Sequence, residues 1–460
     1  MANDPRSRRT DVLGNTIRRL LRRGARNKIS RLLGRERPED VAVALRRLTP
    51  AEQLSVFRLL LEDHLEGAGE LLTKLEPEDR RALLAQTSPE DIARLLKEAP
   101  VDDAVFIIDS LPEELKQRVL EIVDLDEHLN AVQEQLTYGD DSAGRIMDTE
   151  FLALEETMTV QEAIERVRAM ADQVDMISYL YVVDAAGHLL GVTSLRQLLL
   201  AEPGATLGTV MTTSLIKVRT DTDQEEVAQL AARYDLLAIP VTDEDNKLVG
   251  IVTVDDIIDI MKDEATEDFF KAVGTTGDEL TYQEHAFRVA GIRLPWLLVN
   301  LVGLLIAGYV TRHYQETFRL SLLIGFIPVI MGTAGNIGSQ TSTIAVRSLA
   351  TGRFEPGGIA QFVWRQIKVG IIIGAAVASL VTVVTLLLDG NLKAAAMVAP
   401  SVMIAIVVAS FVGATAPALF SRLGIDPAVA SGPLVTTATD VLGISIYFGL
   451  TALFTRYLPL

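Results

Sequence analysis

Long apolar runs fall almost entirely in the last third of the chain. They lie at about 294–310, 318–346, 362–388, 394–420 and 429–455, each near or above the ~20 residues a helix needs to cross a hydrocarbon core. The pattern predicts five membrane-spanning helices within residues 291–460. A six-helix alternative stays open, because Pro328 and the glycines after it can split the second run. Basic residues orient the spans. Arg347, Arg353, Arg365 and Lys368 flank the link between the second and third, and Arg422 sits between the fourth and fifth. Arg312 and Arg319 mark the first link and Lys393 the third. The N-terminus is therefore expected in the cytosol and the C-terminus outside.

Ahead of these runs the pattern is helical, then mixed. Residues 38–134 repeat proline followed by acids, at TPAEQ (49–53), EPEDR (76–80), SPEDI (88–92) and LPEEL (111–115). Proline suits a first helical turn because its missing donor would be unpaired there anyway, and acids there face the positive end of the helix dipole. Thr49 with Glu52 forms a capping box, and Ser88 with Asp91 a weaker one. The expected fold is an all-α superhelical domain, a scaffold without clustered histidines or nucleophiles. Residues 1–37 set Ile17, Leu20, Leu21, Ile29, Leu32 and Leu33 among arginines. That suits a basic amphipathic helix on anionic lipid, or a solvated tail, with Gly24 interrupting the helix.

Residues 138–262 contain a repeat. GHLLGVTSLRQLLLA (187–201) aligns without gaps to NKLVGIVTVDDIIDI (246–260), and YVVDAAG (181–187) to PVTDEDN (240–246). Each copy predicts strand, tight turn, strand, helix. The pair resembles tandem cystathionine β-synthase (CBS) modules, α/β units that sense nucleotides or ions. Thr253 and Asp256 match the Thr-x-x-Asp with which such modules hold a ribose. The first copy has Ser194 and Gln197 there. A helical connector at 263–290 follows, with Asp263, Glu264, Glu267 and Asp268 at its start. Glu264 and Asp268 share one helix face and repel each other. Either water solvates that face or a divalent cation bridges it, and magnesium, which keeps much of its water, suits loosely spaced carboxylates.

Composition narrows the partners. The 460 residues suffice for about three domains, and the net charge of −18 is the opposite of a nucleic-acid binder's. Cysteine is absent, which excludes disulfides and thiolate metal sites. The first residues lack the apolar core of a cleavable signal peptide. Oxygen ligands alone disfavour a dedicated site for soft metals.

Polar chemistry within the apolar region is sparse. The acids between 318 and 455 are Glu355, Asp389, Asp426 and Asp440. The first two sit in links. Asp440 lies inside the fifth run, one turn after Thr436 and Thr437, and an ionisable group at membrane depth usually faces a polar path. Asp426, in GIDPAVASGP, is either an N-cap or part of that path. In PVIMGTAGNIGSQ (328–340), Gly332, Gly335 and Gly338 leave the backbone bare and Asn336 and Gln340 supply amide oxygens. Small residues there suit close helix packing or the lining of a cavity.

Helical domain, CBS pair, acidic connector and five spans together resemble the MgtE family of magnesium transporters. The likeness runs from about residue 40 to the end, carried by residues 328–338, GIDPAVASGPLVTTATDVLG (424–443), YGDDSAGRIM (138–147) and EATED (264–268). It implies a plasma-membrane homodimer, not an enzyme, with a pore on the dimer axis. Hydrated magnesium would be recognised by Asp440, with Gly332, Asn336 and Asp426 on the same path. Regulatory magnesium would bind Asp223, Glu225, Asp256, Asp259, Glu264, Glu267 and Asp268, with Asp102 and Asp103 from the helical domain. ATP would be a modulator at Thr253 and Asp256. Gln366 stands where the family often has an acid, which weakens a cation site at the cytosolic start of the third span. The basic residues 1–37 are not part of the usual pattern. Abundant magnesium would neutralise the acids and hold the pore closed, through its higher affinity for that form. A CBS-regulated anion channel and a non-conducting sensor are the rivals. Asp440 speaks against the first and the cavity-type stretch against the second.

Overall fold

A computed structural model of the chain describes residues 5–122, 127–170, 177–277, 286–318, 324–350, 358–390, 392–430 and 432–457. Arg319, Arg353, Glu355 and connector residues 278–285 lie outside the described residues. The chain divides into two compact units, Met1–Met261 and Lys262–Leu460.

The first unit opens with ten short helices: α1 Pro5–Arg22, α2 Arg26–Leu33, α3 Pro38–Leu45, α4 Pro50–Asp63, α5 Leu65–Thr73, α6 Pro77–Leu84, α7 Pro89–Glu98, α8 Val101–Asp109, α9 Glu113–Ile122 and α10 Glu127–Gln135. The proline-acid motifs start helices as expected. Thr49 and Glu52 close a capping box at α4, and the Ser88 hydroxyl accepts from the Asp91 N–H at α7. Within residues 1–37, amphipathic helices broken at Gly24 (φ +64°) form as expected, but neither the lipid-surface nor the solvated-tail placement holds. Leu13, Ile17, Ile29 and Leu33 are buried in the same core as Phe57, Leu72 and Ile92. Arg9–Glu36, Arg18–Glu52 and Arg47–Asp11 ion pairs tie α1 and its neighbours together. An apolar stripe that would suit a lipid surface suits a helical core equally well, and here the core takes it.

The repeat folds as two like modules. After α11 (Ala143–Ile146), the first holds β1 (Ala153–Glu155), α12 (Val160–Met170), β2 (Tyr179–Val183), β3 (Leu189–Ser194), α13 (Leu195–Leu200) and α14 (Leu207–Val210). The second holds β4 (Val218–Arg219), α15 (Gln224–Tyr234), β5 (Ala238–Thr242), β6 (Leu248–Thr253) and α16 (Val254–Val273). Each sheet has three strands, in the orders β1-β2-β3 and β4-β5-β6. The first pair is parallel and the second antiparallel in both. Gly187 and Asn246, aligned in the repeat, take the left-handed turn position at φ +87° and +67°, which glycine and asparagine tolerate best. The hairpin tips cross-bond, Leu189 N–H to the Asn246 carbonyl and Leu248 N–H to that of Gly187. The aligned Gly191 and Gly250 have no room for a Cβ, because Met211 and Met147 fill it. Helix α16 runs unbroken from the second module into the acidic connector.

The second unit holds α17 (Ala286–Phe318), α18 (Ile327–Ala350), α19 (Gly358–Asp389), α20 (Leu392–Arg422), a 3-10 turn η1 (Pro427–Ala430) and α21 (Pro433–Tyr457). Among the described residues, four of the five long helices are long and apolar enough to cross a membrane, through Ala286–Tyr314, Gly358–Leu387, Leu392–Arg422 and Pro433–Phe454. The fifth, α18, has 24 residues, enough for length, but its threonines, serines, Asn336 and Gln340 lower its hydropathy. Its small residues explain the difference: α18 packs against α20 and α21. Pro328 sits in the first turn, where it is tolerated, and the glycines do not split the helix. Apolar side chains of α17, among them Leu294, Leu297 and Leu305, face outward, as a lipid or subunit contact requires.

Candidate functional site

Asp440 sits on α21 with 9% of its surface exposed, and its Oδ1 is buried without a hydrogen-bond partner among the described residues. Glycines make the room. A Cβ on Gly335 of α18 would fall 2.9 Å from that Oδ1 and 3.2 Å from the Thr436 methyl. One turn on, a Cβ on Gly338 would fall 2.8 Å from the Thr439 methyl. The nearby hydroxyls are turned elsewhere: Thr436 donates to the Gly432 carbonyl, Thr439 to that of Val435, and Thr437 to Asn300 on α17. That oxygen is thus packed against carbon and backbone without a donor, an arrangement that is costly unless a cation or water reaches it. Gly332, Asn336 and Gln340 lie at four-residue spacing on a neighbouring, exposed stripe of α18. Within one chain it is Gly335, not Gly332, that faces Asp440. Gln366, on α19, is buried.

Asp426 lies at the foot of α21 and serves two groups. Its Oδ1 accepts from the Ala428 N–H at 2.7 Å, capping η1, as the sequence allowed. Its Oδ2 accepts from the Lys271 ammonium, which also pairs with Glu267 one turn back on α16. Asp268 is half-buried beside them. Burial pushes its carboxyl above the usual range, with the Asp426 charge adding to the effect. The end of α16 meets α21 at backbone distance. A Cβ on Gly432 would overlap the Ala272 carbonyl, and one on Gly274 (φ +77°) would fall 2.7 Å from Pro433.

A second acidic group lies within the first unit. Asp102 and Asp103 occupy the first turn of α8, and Asp256 the first turn of α16. Burial, then the charges of Asp103, Asp256 and Asp148, push the Asp102 carboxyl up to about 8. Burial and Asp256 push Asp103 to about 6, with Lys74 working against them. Burial pushes Asp256 to about 6, against a hydrogen bond from Thr253. The Thr253 hydroxyl is 2.6 Å from both Asp255 and Asp256. Asp102 Oδ1, like Asp440 Oδ1, is buried without a donor. Among the described residues no three acidic, histidine or cysteine side chains converge as a ready metal cage.

The remaining predicted residues are dispersed. Asp223 caps α15 by accepting from the Glu225 N–H at 2.8 Å, and Glu225 accepts from Gln229. Asp259 is exposed and Glu264 half-exposed along α16. Ser194 and Gln197 close a capping box on each other, which accounts for them without a ligand. Lys271 and Asp148 were missed by the sequence reading. The only signal for Lys271 was its position four residues after Glu267.

Comparison with known proteins fits this arrangement. Residues 327–450 match the MgtE family profile described as a divalent cation transporter. Residues 36–141 match the MgtE intracellular N domain, and 143–204 and 207–263 match CBS domains. A magnesium transporter MgtE from Bacillus subtilis is 37% identical over 325 residues, 70% of this chain and 72% of that one. One from Thermus thermophilus is 37% identical over 334 residues, 72% of this chain and 74% of that one. The crystal structure of the cytosolic domain of the Mg2+ channel MgtE in complex with ATP superposes with a TM-score of 0.50 at 34% identity, covering 54% of this chain and 99% of that one. Residues 1–35, whose helices complete the first core, precede the matched N domain. The chain belongs to the MgtE family of magnesium transporters.

Proposed function

We propose that the chain carries magnesium into the cytosol across the plasma membrane as a homodimer, and that cytosolic magnesium closes it. The observation that carries this reading is Asp440, an acid on a helix able to span a membrane, buried with one oxygen undonated. A fixed, desolvated negative charge favours cations and repels anions. The exposed polar stripe Gly332, Asn336 and Gln340 beside it has no place against lipid, and a second copy of the chain would enclose both as one path. The exposed amide oxygens of that stripe suit an ion that retains its water. The N-terminal unit lies in the cytosol and the C-terminus outside.

Closure rests on the acids of the first unit and the connector. At low magnesium, burial and mutual repulsion raise the proton affinity of Asp102, Asp103 and Asp256, most of all that of Asp102. Magnesium bound among them removes that repulsion, and it biases the equilibrium by its preference for the closed form. Glu264, Glu267 and Asp268 extend the same device along α16. The ATP complex of a related cytosolic domain supports ATP as a modulator, at Thr253 and Asp256.

Proteoliposomes holding the full chain and a magnesium-sensitive dye test this reading. Inward magnesium flux is expected, and its loss in Asp440→Asn. Chloride flux, absence of flux, or wild-type flux in Asp440→Asn would each overturn it.

A further inference from the structure

Lys271 joins two parts of the second unit that are far apart in the chain. Its ammonium lies between the carboxylates of Glu267, on its own helix, and Asp426, which is 155 positions away in the chain. Burial works against the charge, but the two carboxylates outweigh it and raise its pKa. The contact occurs where α16 meets the foot of α21, at the Gly432–Ala272 and Gly274–Pro433 approaches, seven to eight residues before Asp440. Glu267, Asp268 and Asp426 put three carboxylates around one fixed ammonium.

We propose that Lys271 is a tethered surrogate cation: it occupies the Asp426 carboxylate with a charge built into the connector, and so latches the connector to the foot of the Asp440 helix. This inference rests on the transport reading for its consequence. In the latched state Asp426 already has a counter-charge and offers none to a permeating ion. Docking therefore both holds the connector and removes one step from the cation path. Lysine suits the role because its compact ammonium on a flexible four-carbon stem can withdraw whole with the helix. The latch also lowers the number of ions that closure requires, since one of the positive charges needed among these acids is supplied by the chain. Lys271→Arg keeps the charge, and Lys271→Gln keeps the length and polarity without it.

The chain has no cysteine, so Thr275→Cys, at a position 9% exposed two residues past the end of α16, gives a single thiol whose accessibility reports on this end of the connector. The full-length Thr275→Cys chain, reconstituted in liposomes, is modified with a maleimide across a magnesium titration. Adding Lys271→Gln is expected to speed modification about tenfold at the magnesium concentration that half-protects the parent, as for loss of a charge-assisted contact, and to shift half-protection to higher magnesium. Asp426→Asn should do the same, and Lys271→Arg should stay within about twofold of the parent. Unchanged protection in Lys271→Gln overturns the latch. Equal deprotection by Lys271→Arg and Lys271→Gln also overturns it, because the charge would then not be what holds the connector. Absence of magnesium uptake by the parent liposomes would sink the transport reading alone, since the thiol rates still decide the latch.

Discussion

Gly335→Ala tests whether the site depends on a glycine floor. The added Cβ would fall 2.9 Å from Asp440 Oδ1 and 3.2 Å from the Thr436 methyl, about half an ångström inside ordinary contact for the carboxylate. The helices cannot easily part to relieve it. One turn on, Gly338 is pressed against Thr439, and its carbonyl lies against Gly413 of α20. The Asp440 side chain must therefore move. Overpacking of this kind costs about 1–3 kcal/mol, partly offset by the ~1 kcal/mol that alanine gains over glycine within a helix. The net loss of stability should be about 0–2 kcal/mol by the same two figures. Flux should fall much further if the displacement lands on the oxygen proposed to select the ion: about tenfold for each 1.4 kcal/mol by which ion binding there worsens. Gly449→Ala on α21 is the control, since a Cβ there meets nothing within 4 Å. Flux and thermal unfolding are measured on both reconstituted variants. Parent-like flux and magnesium affinity in Gly335→Ala would refute the reasoning.

Other outcomes follow from the first unit. Asp102, Asp103 and Asp256 bind protons more tightly folded than unfolded, so their stabilising contribution is whole below the ordinary carboxylate range. It is lost as pH rises through about 6 and then about 8. In chelator the melting temperature of the first unit should therefore fall between pH 5 and pH 9, and magnesium at pH 8 should restore it. A flat profile would remove these acids from the sensor. Asp102→Asn should raise stability in chelator and blunt the response to magnesium, read by the same melts. Ile17→Ala should cost about 2–5 kcal/mol if α1 completes the helical core, whereas a solvated or lipid-bound segment would give almost no change in a denaturant titration. Thr49→Ala should cost about 1 kcal/mol through loss of the α4 cap, with no effect on flux.

Local patterns in the sequence carried the fold well where the cause was local. Proline-acid helix starts, the capping box at Thr49 and the repeated hairpins all arise from residues within a few positions of one another. Asp440 stood out as a candidate because an acid in an apolar run has few uses, and its burial with one oxygen undonated keeps it one. The fate of residues 1–37 was not legible, since the same stripe of Ile17, Ile29 and Leu33 fits lipid or core and only the available partner surface decides. Lys271 was hidden for a similar reason. Its partner Asp426 is far away in sequence, and both residues had bland local readings, a charged helix face and an N-cap. The choice of Gly335 over Gly332 as the neighbour of Asp440 depends on how α18 is rotated against α21, which sequence spacing does not specify.

Three carboxylates predicted to meet cations show different solutions to one electrostatic problem. Asp426 is satisfied permanently in the docked form, by an N–H at 2.7 Å and by the Lys271 ammonium. Asp102 and Asp440 each keep an oxygen buried and undonated. A resident lysine or arginine at either place would remove the cost of burial, but it would also remove the need for an ion that arrives and leaves. A sensor needs its acids poised between protonation and cation binding, which repulsion within the Asp102 group provides. A selective path needs a charge that no resident group has claimed. The same reasoning gives the pairing at Asp426 its meaning under the proposed latch: a carboxylate at the foot of the path would be open to magnesium only when the connector, and its lysine, has moved away.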